Sequence, residues 1–523
     1  MYSSPRRTPS SPRSPRWTFA LVSAGGVMMT LDVTVVNIAL ADIAADLDAG
    51  LARMQWTVSA YSLAFGALIL TAGALSDRLG RRAVFTAGMV LFTLASAGCG
   101  LAPDAATLIA ARAAQGLGGA MVFAPTLALI AAAYEGTRRR TAIAAYAVTA
   151  SAAGAVGPVV GGLLVDGLGW RWIFLVNVPI GVLVVAGALT RMPGSAAPPS
   201  SCRLDLTGAA LAVATLLTLH YPLVTGPQSG WTAPDVLGSA AACLVCATAL
   251  VISQRRGDGL IDPRLLRIRA FSGAAVLGFL ARMANLGVLA FLTLWLTTAH
   301  GYSPSEAGLR LLPLTGSLLV AGLFTARLQR LLSPAALVAG GFAAQGGGLL
   351  CLAVAGAGMD TGAGMDTGPG VDAGAGAGQV ALVLGLVLLG AGGAVVFPPL
   401  MGVAVAAVPT ERAGMASGLT NACYPLGTAT GVALFGALFS AHLASGLGDT
   451  TPAARTAAET GRFDLLDPAL RPVAHQTFSD AFTLVCLAAA AVCALGLLTA
   501  RTLRATPPEP TAGLRQPAPA RAS

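Results

Sequence analysis

The sequence is poor in charge. Charged residues make up 11% of its 523 residues, whereas a soluble domain carries about 25%. Because 55% of the chain is hydrophobic and its mean hydropathy is +0.74, an ordinary soluble protein is excluded and the lipid bilayer is the expected partner. Lysine is absent, and all 32 basic residues are arginines. These arginines lie between apolar runs, so the net charge of +9 indicates membrane topology and not nucleic-acid binding.

Signatures of metal binding and catalysis are also missing. There are four histidines, and the eight cysteines lie mostly inside apolar runs. Cys243 and Cys246 form a CxxC pair, but a zinc site needs further ligands nearby and none is present. The sequence has no P-loop, no Ser/His/Asp arrangement and no filter-like repeat. We therefore expect no enzyme, ATP-driven pump or channel, and no metal or cofactor.

Apolar runs long enough to cross a bilayer dominate the chain. A membrane helix needs about 20 apolar residues. The sequence predicts an all-α polytopic membrane protein with fourteen transmembrane helices, at roughly 17–40, 55–75, 83–102, 105–133, 142–165, 171–190, 206–224, 235–253, 272–298, 304–325, 335–356, 380–408, 413–441 and 480–500.

The arginines alternate between the two sides that these helices define. The termini and every second connection hold 24 arginines, whereas the remaining connections hold five. The positive-inside rule places the arginine-rich side, and with it both termini, in the cytoplasm. The first apolar run is too long for a signal peptide, contains Asp32 and lacks a cleavage site, so we expect it to be retained.

Internal echoes predict a duplicated architecture. Segment 73–82 resembles segment 322–331, and the stretch from Thr137 has a looser echo from Thr410. Two six-helix bundles follow, at 17–190 and 272–500, with two inserted helices at 206–253. Parallel repeats of this kind mark many secondary transporters, whose substrate sites lie at the repeat interface.

Low-complexity segments complete the domain map. A Gly-rich stretch at 355–378 is predicted to be an external insert, since its aspartates do not have the spacing of a calcium loop. A long polar stretch at 442–479 is predicted to be an external loop. The tails 1–16 and 505–523 are rich in proline and arginine and are predicted to be disordered in the cytoplasm.

Asp32 is the first candidate for chemistry, because it is an acidic residue well inside an apolar run. An intramembrane charge costs at least about 2.5–3.5 kcal/mol and is a functional hypothesis by default. Desolvation disfavours the charged carboxylate, which favours proton exchange near neutral pH. An ionised Asp32 would pair with a cationic substrate and a protonated one would not, which is the minimal requirement for antiport. The alternative is a structural aspartate bonded to the backbone.

Two arginines within apolar runs extend this hypothesis. Arg112, with Gln115 one turn later, could steer proton occupancy of Asp32 or a water chain, or could only order the contacts between helices. Arg282 lies beside the position in the second repeat that corresponds to Asp32. It could face Asp32 across a cavity, or could line that cavity passively. The predicted proton- and substrate-binding residues are Asp32, Asn37, Tyr61, Arg112, Gln115, Arg282 and Asn285.

The connection between the second and third helices predicts a conformational latch. Its sequence is GALSDRLGRR, in which two glycines would permit close backbone approach and Asp77 could meet a helix N-terminus or an arginine. The alternative is a charged topology anchor. The predicted latch residues are Gly73, Asp77, Arg78, Gly80 and Arg81.

The fifth helix contains GAVGPVVGGLL, a bending or sealing element. Proline removes a backbone hydrogen bond, and paired glycines let helices pack closely. Ordinary membrane-helix packing is the alternative. The residues concerned are Gly157, Pro158, Gly161 and Gly162.

At these residues the chain resembles the major facilitator superfamily. Segment 73–82 resembles its loop motif, the segment from Leu108 to Gly118 its fourth-helix motif, and the segment from Gly157 to Gly162 its antiporter motif. The first-helix sequence LDVTVVNIAL resembles the fourteen-helix drug:proton antiporters. Further matches are Gln55-Trp56, Tyr61, Trp170 to Phe174, Asn177-x-Pro179, Gly301 to Pro304, Ala413 to Gly418 and Asn421.

The resemblance implies a major facilitator fold and a proton-coupled exporter of lipophilic, in some cases cationic, drugs or antibiotics. It further implies a monomer in the bacterial cytoplasmic membrane that uses the proton as its coupling ion. The chain departs from the family at Tyr424-Pro425, where members often carry Arg-Gln. Alternative interpretations are an exporter of one endogenous metabolite, such as a self-made antibiotic or siderophore, and a membrane sensor that does not transport.

Overall fold

The computed structural model describes residues 15–194, 205–255, 265–359, 373–409, 412–448, 450–500 and 503, and within these ranges the chain is helical without a strand. The predicted tails, apart from Pro15 and Arg16, and the centre of the predicted insert lie outside the described residues. The helices are α1 (Pro15–Ile38), α2 (Leu40–Asp46), α3 (Leu51–Leu79), α4 (Arg81–Gly100), α5 (Ala105–Ala133), α6 (Gly136–Leu168), α7 (Trp172–Leu175), α8 (Asn177–Arg191), α9 (Leu206–Ser229), α10 (Pro234–Arg255), α11 (Arg269–Thr298), α12 (Pro304–Arg310), α13 (Leu312–Leu331), α14 (Pro334–Met359), α15 (Ala373–Ala406), α16 (Ala413–Leu447), α17 (Pro452–Glu459) and α18 (Arg471–Ala500).

Within the described residues, fourteen helical segments are long and apolar enough to cross a membrane, which confirms the predicted number. α7 and α8 together form one span, as do α12 and α13, whereas α2 and α17 belong to no span. A helix satisfies all its backbone hydrogen bonds internally, which lipid requires. Composition and backbone chemistry therefore both indicate a bundle of membrane-spanning helices.

The segment predicted as a long loop at 442–479 is largely helical. α16 continues to Leu447, α17 follows, and α18 begins at Arg471. The non-helical part of the insert is shorter than the predicted range 355–378, since α14 ends at Met359 and α15 begins at Ala373. Both differences have one cause. Hydropathy marks where a helix leaves the apolar layer, but the backbone hydrogen bonds of that helix continue into the polar sequence beyond. α1 likewise begins at Pro15, within the predicted N-terminal tail.

The helices form two halves and an inserted pair. α1–α8 make up the first half and α11–α18 the second half, and the two spans α9 and α10 lie between them in the chain. α9 and α10 pack against each other, and α9 also contacts α3 of the first half and α16 of the second. The inserted pair therefore lies beside the junction of the halves.

Aromatic stacking and close helix approach stabilise the second half. Trp295 and Phe482 stack with ring centroids 4.6 Å apart, and both are buried. α14 and α15 approach so closely that a Cβ at Gly348 would lie 2.7 Å from the carbonyl oxygen of Gly385. Small residues permit this packing where lipid provides no hydrophobic driving force between helices.

The two ends of the bundle differ in charge. We call one the arginine-rich face, defined by Arg78, Arg81, Arg82 and residues 138–140, and the other the carboxylate-rich face, defined by Asp46, Asp48, Asp166 and Glu459. The positive-inside rule predicts that the arginine-rich face is cytoplasmic.

The halves are tied together at the carboxylate-rich face. Hydrogen bonds there connect Thr293 Oγ1 with the carbonyl oxygen of Asn37 (2.8 Å), the amide of Ser305 with Asp166 (2.9 Å) and Arg462 with Asp48 (2.8 Å). In this conformation a molecule between the halves is therefore separated from the carboxylate-rich side.

Candidate functional site

Asp32 lies on α1 and is 2% exposed. One carboxylate oxygen accepts a hydrogen bond from Arg112 Nη1 at 2.5 Å, and the other accepts one from Gln115 Nε2 at 2.7 Å. The same Nη1 also donates to Gln115 Oε1 at 2.7 Å. Both oxygens of the predicted proton site are therefore occupied by donors from α5.

Arg112 is held from several directions, which fixes the guanidinium over Asp32. Its Nε donates to the carbonyl oxygen of Thr57 at 3.2 Å. Its Cζ lies 4.5 Å from the ring centroid of Tyr61 and 5.7 Å from that of Phe174. Contacts with aromatic faces compensate a desolvated cation in part.

Gln115 is oriented by a second layer of polar groups. Its Nε2 also approaches Ser96 Oγ at 3.3 Å, and that hydroxyl accepts from Asn177 Nδ2 at 3.1 Å. Ser96 in turn donates to the carbonyl oxygen of Phe174 at 2.8 Å. The residues Asp32, Arg112, Gln115, Ser96 and Asn177 form one buried network, which we call the Asp32 network.

Glycines on α5 allow this network to form. A Cβ at Gly116 would lie 2.3 Å from the carbonyl oxygen of Tyr61, and one at Gly118 would lie 2.6 Å from the amide nitrogen of Phe92. α5 thus packs closely against both α3 and α4. This approach brings Arg112 within reach of the backbone of α3.

The structure brings together four of the predicted binding residues, namely Asp32, Tyr61, Arg112 and Gln115. Asn37 lies at the carboxylate-rich end of α1, where its Nδ2 donates to the carbonyl oxygen of Val33 at 3.0 Å. Its backbone oxygen takes part in the contact between the halves. Asn37 is therefore part of the contact between the halves and not of the Asp32 network.

The other two predicted binding residues lie on α11 in the second half. Asn285 Nδ2 donates to the carbonyl oxygen of Leu389 at 3.2 Å, which ties α11 to α15. Arg282 makes no hydrogen bond or ion pair with Asp32; its Cζ lies 4.3 Å from the ring centroid of Phe397. A direct Asp32–Arg282 pair is absent from this conformation.

The predicted latch is attached to its own half in this conformation. Gly80 joins α3 to α4 with φ +94°, a backbone conformation that favours glycine. Arg81 donates to the carbonyl oxygen of Ala128 at 3.4 Å. Gly73 does not provide the expected close backbone approach, because a Cβ there would meet nothing within 4 Å.

The antiporter motif on α6 lies against α1 and α12. A Cβ at Gly161 would lie 2.9 Å from a methyl carbon of Val35, and one at Gly162 would lie 2.4 Å from the carbonyl oxygen of Pro304. From the other side, a Cβ at Gly308 would lie 2.4 Å from the carbonyl oxygen of Pro158. α6 and α12 thus form a close seam between the halves.

Gly162→Ala is expected to destabilise this seam. The methyl group would overlap a backbone oxygen of α12, and overpacking of this kind costs about 1–3 kcal/mol. We expect the export activity that the resemblance implies to fall about tenfold, because the closed carboxylate-rich face becomes less populated. The matched control is Gly167→Ala on the same helix, where a Cβ would meet nothing within 4 Å. Equal export rates for the two variants, measured in vesicles at equal protein content, would contradict this prediction.

Glu459 is a buried carboxylic acid at the carboxylate-rich face. It is 2% exposed and accepts a hydrogen bond from Ser440 of α16. Burial is the largest effect and raises its pKa, whereas Ser440, the charge of Arg455 and Gln228 lower it. The net direction is upward, so folding favours the protonated form.

This pKa shift predicts a pH-dependent stability. A carboxyl group with a raised folded-state pKa stabilises the fold below its unfolded value and loses that contribution as pH rises through the folded value. We therefore expect the thermal midpoint of the purified protein to decline as pH rises above the ordinary range of a glutamic acid. Glu459→Gln should flatten that decline, and Asp464→Asn, which removes an exposed carboxylate nearby, should not. A decline that persists unchanged in Glu459→Gln would refute the assignment.

Sequence reasoning missed the second layer around Gln115. Ser96 gave no signal, because a serine in a small-residue run is ordinary in a membrane helix. Asn177 did give one, as an amide in an apolar run within a matched motif. Among the described residues, no group of three or more His, Cys, Asp or Glu side chains is placed to hold a metal ion.

Two helical halves that meet at one face, with an ion pair buried inside one of them, are features of a secondary transporter. The chain belongs to the major facilitator superfamily, because the family model described as Major Facilitator Superfamily matches residues 22–432. It is a multi-pass protein of the bacterial cytoplasmic membrane.

Curated relatives cover most of the chain. It is 34% identical over 433 residues to the multidrug resistance protein Stp of Mycobacterium tuberculosis, covering 82% of this chain and 77% of the relative. It is 35% identical over 418 residues to the methylenomycin A resistance protein of Streptomyces coelicolor, covering 79% and 84%. It is 32% identical over 449 residues to the tetracenomycin C resistance and export protein of Streptomyces glaucescens, covering 85% and 79%.

A solved structure supports the fold alone. It is a bacterial homologue of the human lysosomal transporter Spinster, in an inward-facing and unoccupied conformation. The match has a TM-score of 0.63 at 16% identity and covers 95% of this chain and 98% of the solved chain.

Proposed function

We propose that this protein exports lipophilic drugs or antibiotics across the cytoplasmic membrane in exchange for protons. The observation that carries the proposal is the buried Asp32 network, in which an intramembrane carboxylate binds donors through both oxygens. The names of the relatives, which include multidrug and antibiotic resistance proteins, support the substrate class. The cycle uses the proton as its coupling ion, without a cofactor and without a catalysed covalent step, and the working unit is a monomer.

Protonation of Asp32 would act on the contact between α1 and α5. The ionised carboxylate holds Arg112 and Gln115, whereas a neutral carboxyl group gives up the charge-assisted bond to Arg112. Loss of that bond changes the relative stability of the two access states, and the free energy for transport comes from this difference. A cationic substrate would have to displace Arg112 in order to reach Asp32.

The latch and the antiporter motif would act on opposite faces. We infer that Gly157, Pro158, Gly161 and Gly162 seal the carboxylate-rich face. Pro158 and Gly162 pack against α12 in the seam between the halves, whereas Gly157 and Gly161 hold α6 against α1. Gly73, Asp77, Arg78, Gly80 and Arg81 would stabilise the alternative state at the arginine-rich face. The open space beside Gly73 in this conformation leaves room for the second half to approach.

Export of one endogenous product is the second candidate. It is favoured by relatives named for single antibiotics, among them a probable actinorhodin transporter of Streptomyces coelicolor. In that case the chemistry at Asp32 is the same and only the range of substrates differs.

Substrate-evoked proton flux tests the proposal. Inverted vesicles containing the protein would be energised, and puromycin, tetracenomycin C and methylenomycin A would be added one at a time. We expect at least one compound to dissipate the pH gradient, whereas vesicles without the protein do not respond. Export of a compound without proton movement would refute proton coupling. Response to a single compound would favour the second candidate.

A further inference from the structure

Arg282 lies near the middle of α11 (Arg269–Thr298), at the depth where transporters of this architecture place their substrate sites. Among the described residues, the structure gives it no hydrogen bond and no carboxylate partner. Arg112 in the first half contrasts with it, since that charge is cancelled by Asp32. Arg282 therefore leaves an uncompensated positive charge deep in the second half.

Two aromatic side chains flank this guanidinium. Its Cζ lies 4.3 Å from the ring centroid of Phe397 and 6.0 Å from that of Tyr424. The two rings contact each other edge to face, with centroids 5.0 Å apart. Gly278 on α11 makes room for Tyr424, because a Cβ there would lie 2.2 Å from the tyrosine ring. The position of the tyrosine is thus determined by packing.

The hydroxyl group of Tyr424 is buried and has no hydrogen-bond partner in the described part of the chain. Arg282 is half-buried, and the Tyr424 hydroxyl is a second donor without an acceptor among the described residues. No carboxylate in the described structure faces them as an acceptor. Partial removal of a cation from water is unfavourable, and contacts with two aromatic rings offset only part of that cost. An anionic group beside Arg282 would complete the arrangement.

We propose that Arg282, Tyr424 and Phe397 form a subsite for the acidic group of a lipophilic aromatic substrate, a carboxylate or an ionised phenol. This proposal rests on the proposed function and specifies its substrate class. The guanidinium binds the anion with charge-assisted hydrogen bonds, the tyrosine hydroxyl adds a further donor, and Phe397 contacts the apolar body. An amine at the same position would meet a like charge.

Matched pyrene probes test this subsite. 1-Pyrenebutyrate, 1-pyrenebutanol and 1-pyrenebutylamine share one apolar body and differ in the terminal group. Their binding to the full-length protein in phosphatidylcholine nanodiscs would be followed by energy transfer from tryptophan to pyrene. We expect wild type to bind the acid more tightly than the alcohol and the amine. Arg282→Gln should raise the Kd for the acid about tenfold or more, and change that for the alcohol by at most about twofold.

Two further variants separate this role from a structural one. Arg282→Lys should recover part of the preference for the acid, because it retains the charge but loses the planar fork. Arg310→Gln is the matched control, since Arg310 also lies over a tyrosine ring, 3.5 Å from the centroid of Tyr302, but near the carboxylate-rich face. It should leave all three Kd values unchanged.

Several results would overturn the subsite. These are equal binding of the three probes, no binding of the acid, or equal weakening of acid and alcohol in Arg282→Gln. Loss of acid binding on adding phosphatidylglycerol, with the alcohol unaffected, would assign the site to an anionic lipid headgroup instead. Proton flux evoked by a neutral antibiotic, without any Arg282-dependent acid binding, would retain the proposed antiport and reject only this subsite. Arg282-dependent acid binding without proton flux would retain the subsite and reject the proposed antiport.

Discussion

Asp32→Asn is expected to abolish substrate-evoked proton release and active export. The variant removes the titratable group of the proposed exchange and leaves Arg112 buried without its carboxylate partner. Breaking a buried ion pair by removing one member costs about 3–5 kcal/mol, so the variant should also unfold at lower temperature. The measurements are pH-gradient dissipation in inverted vesicles and thermal unfolding of the purified protein.

A charge-balanced double variant separates coupling from folding. Asp32→Asn combined with Arg112→Gln removes both charges, so it should unfold at a higher temperature than the single variant while remaining inactive. Asp46→Asn is the matched control, because Asp46 forms an Asp–Arg pair of the same length, 2.5 Å, in which both side chains are at least 40% exposed. Such a pair contributes at most about 1 kcal/mol. Proton release that survives in Asp32→Asn would place the proton site elsewhere.

A disulfide across the carboxylate-rich face is expected to stop export reversibly. Gly50 belongs to the first half, and a Cβ there would lie 3.4 Å from a methyl carbon of Thr456 on α17 in the second half. This spacing is within reach of a disulfide between Gly50→Cys and Thr456→Cys. In a background without the native cysteines, oxidation should reduce export to the level of vesicles without the protein, because the halves can no longer separate at this face. A reductant should restore export.

The matched control is a disulfide inside one half at the same face. Gly446 on α16 and Thr477 on α18 are close, with a Cβ at Gly446 lying 3.3 Å from that of Thr477. Oxidation of Gly446→Cys/Thr477→Cys should leave export intact, because no contact between the halves is involved. Export that continues through a fully formed Gly50–Thr456 disulfide would contradict alternating access at this face.

Together the two experiments examine separate parts of one cycle. The Asp32 network lies within the first half, whereas the disulfide joins the halves at one end of the bundle. If both predictions hold, protonation at Asp32 and opening of the carboxylate-rich face are each required. The Gly162→Ala variant probes the same face without a covalent bond. It should therefore reduce export only in part, whereas the disulfide should stop export completely.

Much of the site could be predicted from single residues. Asp32 and Arg112 are charged residues in long apolar runs, and the cost of an intramembrane charge makes each one conspicuous. Their pairing does not follow from the sequence, because spacing along two separate helices does not specify rotation about either axis. The close packing of α5 at Gly116 and Gly118 determines that rotation.

Tyr424 shows most clearly where sequence reasoning stopped. In the sequence it is a departure from the family pattern, and that departure alone indicates no role. Its position beside Arg282 and Phe397 depends on a contact between α11 and α16 at Gly278. Contacts between helices distant in the chain have no local sequence signature.

The number of spans and the presence of charged groups within them follow from the sequence alone, because hydropathy and the cost of desolvation act on each segment separately. Which of those charges are cancelled depends on the tertiary structure. Arg112 and Arg282 look alike in sequence, yet one has a carboxylate partner at 2.5 Å and the other has aromatic rings. Electrostatic compensation depends on distances of a few ångströms between different helices, and only packing sets those distances.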